Sequence, residues 1–338
     1  MRCIVVTGAG GFIGGHLVRE LAASGDAVIR AVDKKPIPEW EQVNRGPKIV
    51  NFCLDLSFRK NCERMCNGAT EVYNLACDMG GIGFIEFNRS NCMRSVLINT
   101  HMLQASYEAG VEKYFYSSSA CAYPYHAQDQ YEVAPLKETD VIPANPERGY
   151  GWEKLFSEQM CQEFYFEKGL PTFIGRFHNC YGPCGAWKGG REKAPAAICR
   201  KVAEIVQDNL PPEIEVWGNG QATRTYMYID DCIRGIEKIV HCPELVAVPV
   251  NLGSTELVSV DELVDMVVEV ANMSSRRKLE VIKKHDLTKP TGVAGRSSDN
   301  TLLESKVGWS PKYPLVSGLQ TTYDWICHQR MIEKQNGQ

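Results

Sequence analysis

The stretch from Cys3 to Gly14, CIVVTGAGGFIG, limits the possible folds more than any other part of the chain. Cys3–Thr7 is a continuous β-branched and apolar run, as in a strand buried on both faces. Glycines follow at Gly8, Gly11 and Gly14, and helical periodicity takes over across Phe12–Ala23. A strand that turns on glycines into a helix brings backbone amides and a positive helix end close to a pyrophosphate. Alone, the same glycines also fit a plain strand–helix turn. Asp33 favours the ligand reading. It follows the next β-branched run, about 20 residues on, where a carboxylate holds the adenosine ribose hydroxyls. Lys34 and Lys35 tolerate a 2′-phosphate, but Asp33 repels one, so NAD is expected over NADP. Asp55, after a third such run, either faces the adenine or caps its strand end.

Further strands are expected at 27–32, 48–54, 71–75 and 114–118, with helical stretches between them, including 96–109. Tyr150–Lys168 reads as a long helix and Thr172–Phe177 as another strand. Strands alternating with helices pair in parallel through right-handed crossovers. The expected fold class is α/β: a Rossmann-type doubly wound parallel sheet with a smaller mixed α/β substrate-binding domain. From residue 183 onward Gly, Pro, Lys and Arg become frequent and elements shorten. This places an NAD-binding domain at 1–180 and the second domain mainly at 181–338, with segments near 226–252 crossing back. The polar tail 333–338 is expected to fray.

A chain of 338 residues can bury a sizeable core, and its net charge of −4 argues against a nucleic-acid surface. There is no run of 18 apolar residues, so no membrane partner is expected. The N-terminal apolar run passes directly into the glycine turn and reads as a core strand, not a signal peptide. The 14 cysteines are scattered without a C-x-x-C, which points to free thiols in a reducing, cytoplasmic setting and to no metal site.

Tyr150-Gly-Trp-Glu-Lys154 puts a phenol and an ammonium one helical turn apart on a single face. A phenol ordinarily titrates near ~10, and an adjacent cation lowers that value. Such a phenol can take the proton from an alcohol while hydride leaves the carbon. Ser117–Ser119, at the end of the 114–118 run, offers a hydroxyl to orient the same oxygen. The pair alone is common by chance; with the N-terminal glycines it is not. His178 reads as a packed strand-end residue.

With these motifs the chain resembles the extended short-chain dehydrogenase/reductase family and, within it, the GDP-mannose 3,5-epimerases. The narrower resemblance rests on the strings NLACDMGG (74–81), SSACAYP (118–124), GRFHNCYGP (175–183), WKGGREKAP (187–195) and GRSSDN (295–300). It implies a tightly bound NAD, held by Gly8, Gly11, Phe12, Ile13, Gly14, Asp33, Asp55, Tyr150 and Lys154. It implies that Tyr150, Ser119 and Lys154 form the redox group, and Cys121 and Lys193 an acid/base pair. It implies a GDP-sugar substrate contacted by Gly80, Ser119, Ala120, Cys121, Asn179, Glu192, Lys193, Ala194, Lys201, Thr223, Arg224 and Arg296. It also implies a homodimer formed through a four-helix bundle. Two positions depart from the pattern: Trp152 inside the Tyr-x-x-x-Lys segment, and Ala222 where Gln is usual beside Thr223-Arg224.

The chemistry of those residues is coherent. Transient oxidation of C4 makes the C–H bonds at C3 and C5 acidic. A thiol and an amine on opposite ring faces can then invert them, giving GDP-L-galactose, or GDP-L-gulose when C5 alone inverts. Lys188, Arg191 and Lys193 are close in sequence, and one or two of them can serve to neutralise phosphate. A 4-epimerase needs no such pair, and a 4,6-dehydratase needs carboxylates where Ala120 and Cys121 stand. A binding protein that had lost catalysis is expected to lack Tyr150 or Lys154.

Overall fold

The alternation read from the sequence folds into seven parallel strands. The computed structural model describes residues 2–275 and 278–337. In it β1 (Cys3–Thr7), β2 (Val28–Asp33), β3 (Ile49–Cys53), β4 (Glu71–Asn74), β5 (Lys113–Ser119) and β6 (Thr172–Phe177) join the strand Pro249–Leu252. The order across the sheet is Pro249–Leu252, β6, β5, β4, β1, β2, β3, and every pairing is parallel. The winding direction reverses between β1 and β4, and open α/β sheets bind ligands at that point, beyond the carboxyl ends of their strands. Thr7 and Asn74 are register partners there. The Thr7 hydroxyl donates to Asn74 Oδ1 at 2.8 Å and accepts from the Leu75 and Ala76 amides at 3.1 and 3.0 Å.

Alternate side chains of each strand enter different layers, as the period of a strand requires. Ile4, Val6, Tyr73 and Phe115 face one side, packing in a cluster with the helices Phe12–Ala23 and Ile229–Val240. Val5, Val72, Tyr114 and Tyr116 face the other, with Cys62, Met102 and Cys161 from the helices Arg59–Cys66, Val96–Glu108 and Tyr150–Lys168.

Later segments return to this sheet. Pro249–Leu252 extends it beyond β6, and Ile229–Val240 packs on Phe12–Ala23. Elsewhere the sheets are small. Thr223–Thr225 lies between antiparallel Leu257–Ser259 and parallel Gly295–Arg296, and Glu213–Trp217 pairs with Ile282–Asp286. The tail departs from expectation. Helix Leu315–Gln335, which packs on Ala194–Asp208, includes its first three residues, and Lys334 pairs with Asp208. Gln338, its last residue, lies outside the described residues.

Candidate active site

The glycine turn lies at the switch point. Gly8 adopts φ +66°, and a Cβ there would meet the Leu75 backbone at 3.0 Å. A Cβ on Gly14 would sit 2.2 Å from the Gly8 carbonyl oxygen, so the helix can approach the turn only without one. Gly11 is the N-cap of Phe12–Ala23 and no side chain caps that end, which leaves the first-turn amides around Phe12 and Ile13 to a ligand. Asp33 ends β2 beside the turn, accepting from the Gly10 amide at 3.1 Å and the Lys35 amide at 3.0 Å. Turn, uncapped helix end and carboxylate together fit a dinucleotide. Asp55 accepts from the Ser57 amide at 2.8 Å, the capping alternative for that residue.

The redox candidates meet where β5 ends against the start of helix Tyr150–Lys168. Tyr150 and Lys154 are buried on one face of it. Lys154 Nζ donates to the Ser117 carbonyl at 2.9 Å and the Tyr116 hydroxyl at 3.2 Å, and lies 5.4 Å from the centre of the Tyr150 ring. The phenol is not lowered as the spacing suggested. Burial raises it well above its ordinary value, nearby Cys77, Cys121 and Glu153 add to the rise, and the Ser119 hydroxyl opposes them through a hydrogen bond. The ammonium spends its hydrogen bonds on Tyr116 and Ser117, so desolvation of the phenolate dominates.

Cys121 follows Ser119, whose hydroxyl accepts the Cys121 amide at 3.2 Å. It belongs to one buried cluster with Tyr150, Ile85 and Cys92, against which Cys77, Met79 and Phe84 pack. Its sulfur accepts from Arg296 Nη1 at 3.5 Å. The same guanidinium donates to Gln128 and Glu147, each at 2.5 Å. Burial, then Glu147, pushes the thiol up; Arg296 and Ser119 pull it down without prevailing. For Arg296 burial opposes the charge, and Glu147 and Cys121 more than offset it.

The three basic residues of the 187–195 segment separate clearly. Lys188 pairs with Glu333 at 2.5 Å. Arg191 binds Asp78 and the Met79 carbonyl, each at 2.9 Å, and lies 3.7 Å over the Phe84 ring. Lys193 is the N-cap of Ala194–Asp208, and its ammonium forms no hydrogen bond or salt bridge among the described residues. The segment is docked against residues 80–84: the Gly81 amide donates to the Arg191 carbonyl at 3.0 Å, and Gly80 packs on Phe84 and Arg191. Glu192 turns back to accept from the Gly190 amide at 2.7 Å.

Arg224 and Arg296 are register partners on neighbouring strands. The Arg224 guanidinium reaches only backbone carbonyls, those of Thr223, Thr291, Val293 and Ala294, and has no carboxylate partner among the described residues. Burial, followed by Arg296, lowers it to about 10. A cation left without a counter-charge beside a second cation is prepared for an anion. Thr223 donates to the Tyr131 carbonyl, and Asn179, at φ +37°, donates to the Thr225 carbonyl at 3.2 Å. Lys201 is occupied by the Glu215 carbonyl at 2.7 Å. Ala120 is buried between Ser119 and Cys121. His178 is fully buried, 3.1 Å from Asn251 Oδ1, and burial lowers it to about 3, so it stays neutral and takes no part in proton exchange near pH 7.

The sequence compares with known proteins in the same sense. The model of the NAD dependent epimerase/dehydratase family matches residues 4–253. The chain belongs to that family. Within it, the chain is 42% identical to GDP-mannose 3,5-epimerase 1 of Oryza sativa subsp. japonica, over 99% of this chain and 84% of the rice protein. It is 41% identical to GDP-mannose 3,5-epimerase of Arabidopsis thaliana, with the same coverage. The fold is that of the UDP-glucuronic acid 4-epimerase from Bacillus cereus, solved in complex with UDP-glucuronic acid and NAD. That match has a TM-score of 0.82 at 21% identity and covers 97% of this chain and 100% of the other.

Several residues of this family member's pocket escaped the sequence reading. Cys77 lies within a string quoted for the resemblance, and its thiol hydrogen-bonds Tyr150. Glu147, from an irregular segment, and Gln128, at the end of the single 3-10 turn Tyr125–Gln128, hold Arg296 and carry no periodic signal. Asp78 ties Arg191 to Lys34, which it meets at 3.1 Å. Ala222 is buried, and Trp152 is exposed on the outer side of its helix. That departure therefore lies away from Tyr150 and Lys154.

Proposed function

We propose that the chain converts GDP-D-mannose to GDP-L-galactose by inverting C3 and C5, with GDP-L-gulose formed when C5 alone inverts. The rice and Arabidopsis relatives carry the name of that activity. The observation that carries the reading for this chain is a shared cluster: the Cys121 thiol and the Tyr150 phenol are buried together, with Arg296 on the sulfur. Chemistry confined to C4 uses the phenol and has no work for the thiol.

In this reading Tyr150, oriented by Ser119, takes the proton of the C4 hydroxyl, and the Lys154 ammonium stabilises the phenolate. The Gly8–Gly14 turn and Asp33 would hold NAD, which would supply a reversible hydride acceptor for C4. With a carbonyl at C4, Cys121 removes the proton from one face of C5 and Lys193 supplies one to the other; the exchange repeats at C3. Positioned acid/base groups of this kind contribute typically ~10²–10⁴-fold. Arg224 and Thr223 hold the diphosphate, assisted by Arg296, while Gly80, Ala120, Asn179, Glu192, Ala194 and Lys201 surround the rest of the substrate. Residues 1–180 with 226–252 serve the cofactor, and 181–338 mainly the sugar nucleotide.

The same reading makes the protein a homodimer. Leu97 and Tyr107 on Val96–Glu108, and Trp152, Phe156 and Phe166 on Tyr150–Lys168, are all exposed. Two packed helices from each protomer can bury these side chains in a four-helix bundle. The 14 cysteines are free thiols, which supports a reducing compartment such as the cytoplasm.

The test is incubation of NAD-loaded protein with GDP-mannose in D₂O, read by NMR. Deuterium at C3 and C5 is expected. Label at neither position, with C4 inverted, makes the protein a 4-epimerase and overturns the proposal.

A further inference from the structure

Helix Tyr150–Lys168 buries, beside Tyr150 and Lys154, a carboxylate for which the mechanism above has no use. Glu153 is 3% exposed. Its Oε1 accepts from the Tyr116 hydroxyl and the Ser157 hydroxyl, both at 3.0 Å. Its Oε2 is buried, accepts no hydrogen bond among the described residues, and lies 3.6 Å from Lys154 Nζ. The Tyr116 hydroxyl connects the two, accepting from Lys154 while donating to Glu153. A buried carboxylate is costly to keep, and an unpartnered oxygen more so, unless a nearby cation offsets it.

We infer that Glu153 is a positioning residue for the redox step, the buried counter-charge that keeps Lys154 an ammonium in a site closed to water. The inference rests on the assignment of Tyr150 and Lys154 to proton transfer at C4. The groups facing Lys154 from every side are Tyr150 and Glu158 of its own helix, Tyr116 of β5, and Cys77 after β4. Cys161 joins them around Tyr116. Burial works against the Lys154 charge; Cys77 and Glu153, then Glu158, outweigh it. Of these, the Cys77 thiol is itself pushed up by burial and is uncharged near pH 7. Glu158 is already engaged by Arg176 in a two-pronged ion pair, at 2.9 and 2.7 Å. Glu153 is left as the anion that answers Lys154.

Glu153→Gln preserves volume and the hydrogen bonds from Tyr116 and Ser157 while removing the charge. In the NAD-loaded enzyme, kcat at its pH optimum is expected to fall about tenfold or more, up to the ~10²–10⁴-fold worth of a positioned proton-transfer group, because Lys154 loses the anion that holds it in place. The signs of the pH shifts follow from the charge. Without the anion, Lys154 loses its proton more easily, so the alkaline limb of kcat moves to lower pH. Glu153 also raises Tyr150, so the acid limb moves to lower pH with it. The phenolate absorbance of Tyr150, taken as the difference from a Tyr150→Phe protein, moves in the same direction. Reduced kcat with both limbs unmoved means a purely structural role and overturns the inference. Should Glu153→Gln not fold, Glu153→Asp withdraws the charge by one methylene, and its limbs move the same way by less; unmoved limbs there also overturn it. Tyr150→Phe separates the two claims. Unchanged turnover in that variant removes the redox assignment itself, whereas its loss alongside unmoved Glu153→Gln limbs removes only the role of Glu153.

Discussion

The groups proposed for the redox step and those proposed for ring-proton exchange are held in opposite ways. Tyr150, Lys154 and Glu153 share one helix turn and dock on β5 residues 116–119, so two adjoining regular elements fix the whole arrangement. Each charge there has a partner that is equally buried. Cys121 instead depends on Arg296, 175 residues away, which is itself held by Glu147 and Gln128. Lys193 arrives at a helix N-cap from an irregular segment and has no hydrogen-bond or salt-bridge partner among the described residues. The difference matches the work proposed for each set of groups. Proton transfer at C4 occurs at one fixed atom, whereas exchange at C5 and C3 requires groups that serve two positions and two faces of a ring.

Four variants probe that division, from the largest effect to the smallest. Tyr150→Phe should reduce turnover by about 10³-fold or more and abolish deuterium incorporation as well, because ring protons become acidic only after C4 is oxidised. Normal incorporation in that protein would break the order of events. Cys121→Ser should reduce exchange by roughly 10²–10⁴-fold yet leave the transient absorbance of reduced cofactor on substrate addition. Loss of both signals would mean that the two sets are not separable. Glu147→Gln removes the anion that raises the Cys121 thiol, so the rising limb of exchange against pH should move to lower pH, with the C4 step unaffected. Movement to higher pH would show that Glu147 acts on Cys121 by holding Arg296 in place. Lys188→Ala breaks an exposed ion pair with Glu333, of the class worth ~0–1 kcal/mol, and should leave both exchange and melting temperature nearly unchanged. A loss of exchange equal to that of Lys193→Ala would erase the distinction between the two lysines.

The redox set was legible because its signals are local. The i, i+4 pair Tyr150/Lys154, the Ser at a strand end and the Gly8–Gly14 turn each depend on a few consecutive residues whose geometry is set by one element. The strands and the long helix were found to within a residue or so at most ends for the same reason. Misjudgements came where environment outweighs spacing. The Tyr150 phenol was expected low because a cation is one turn away, yet burial raises it. The 333–338 tail is polar and reads as loose, yet its first three residues continue a helix and Lys334 pairs with Asp208.

The sequence by itself determined the parallel sheet, the dinucleotide turn and the phenol–ammonium pair, because periodicity and glycine placement act over single elements. Only the tertiary structure decided that Glu147 and Gln128 position Arg296 on Cys121, that Arg191 is bound to Asp78, and that among the described residues Lys193 has no partner and Arg224 meets carbonyls but no carboxylate. Those facts depend on which surfaces meet across more than a hundred residues of chain and on how much water each meeting excludes. Solvent exclusion sets the charge state and partner of every group in the pocket, and residue order carries no direct record of it.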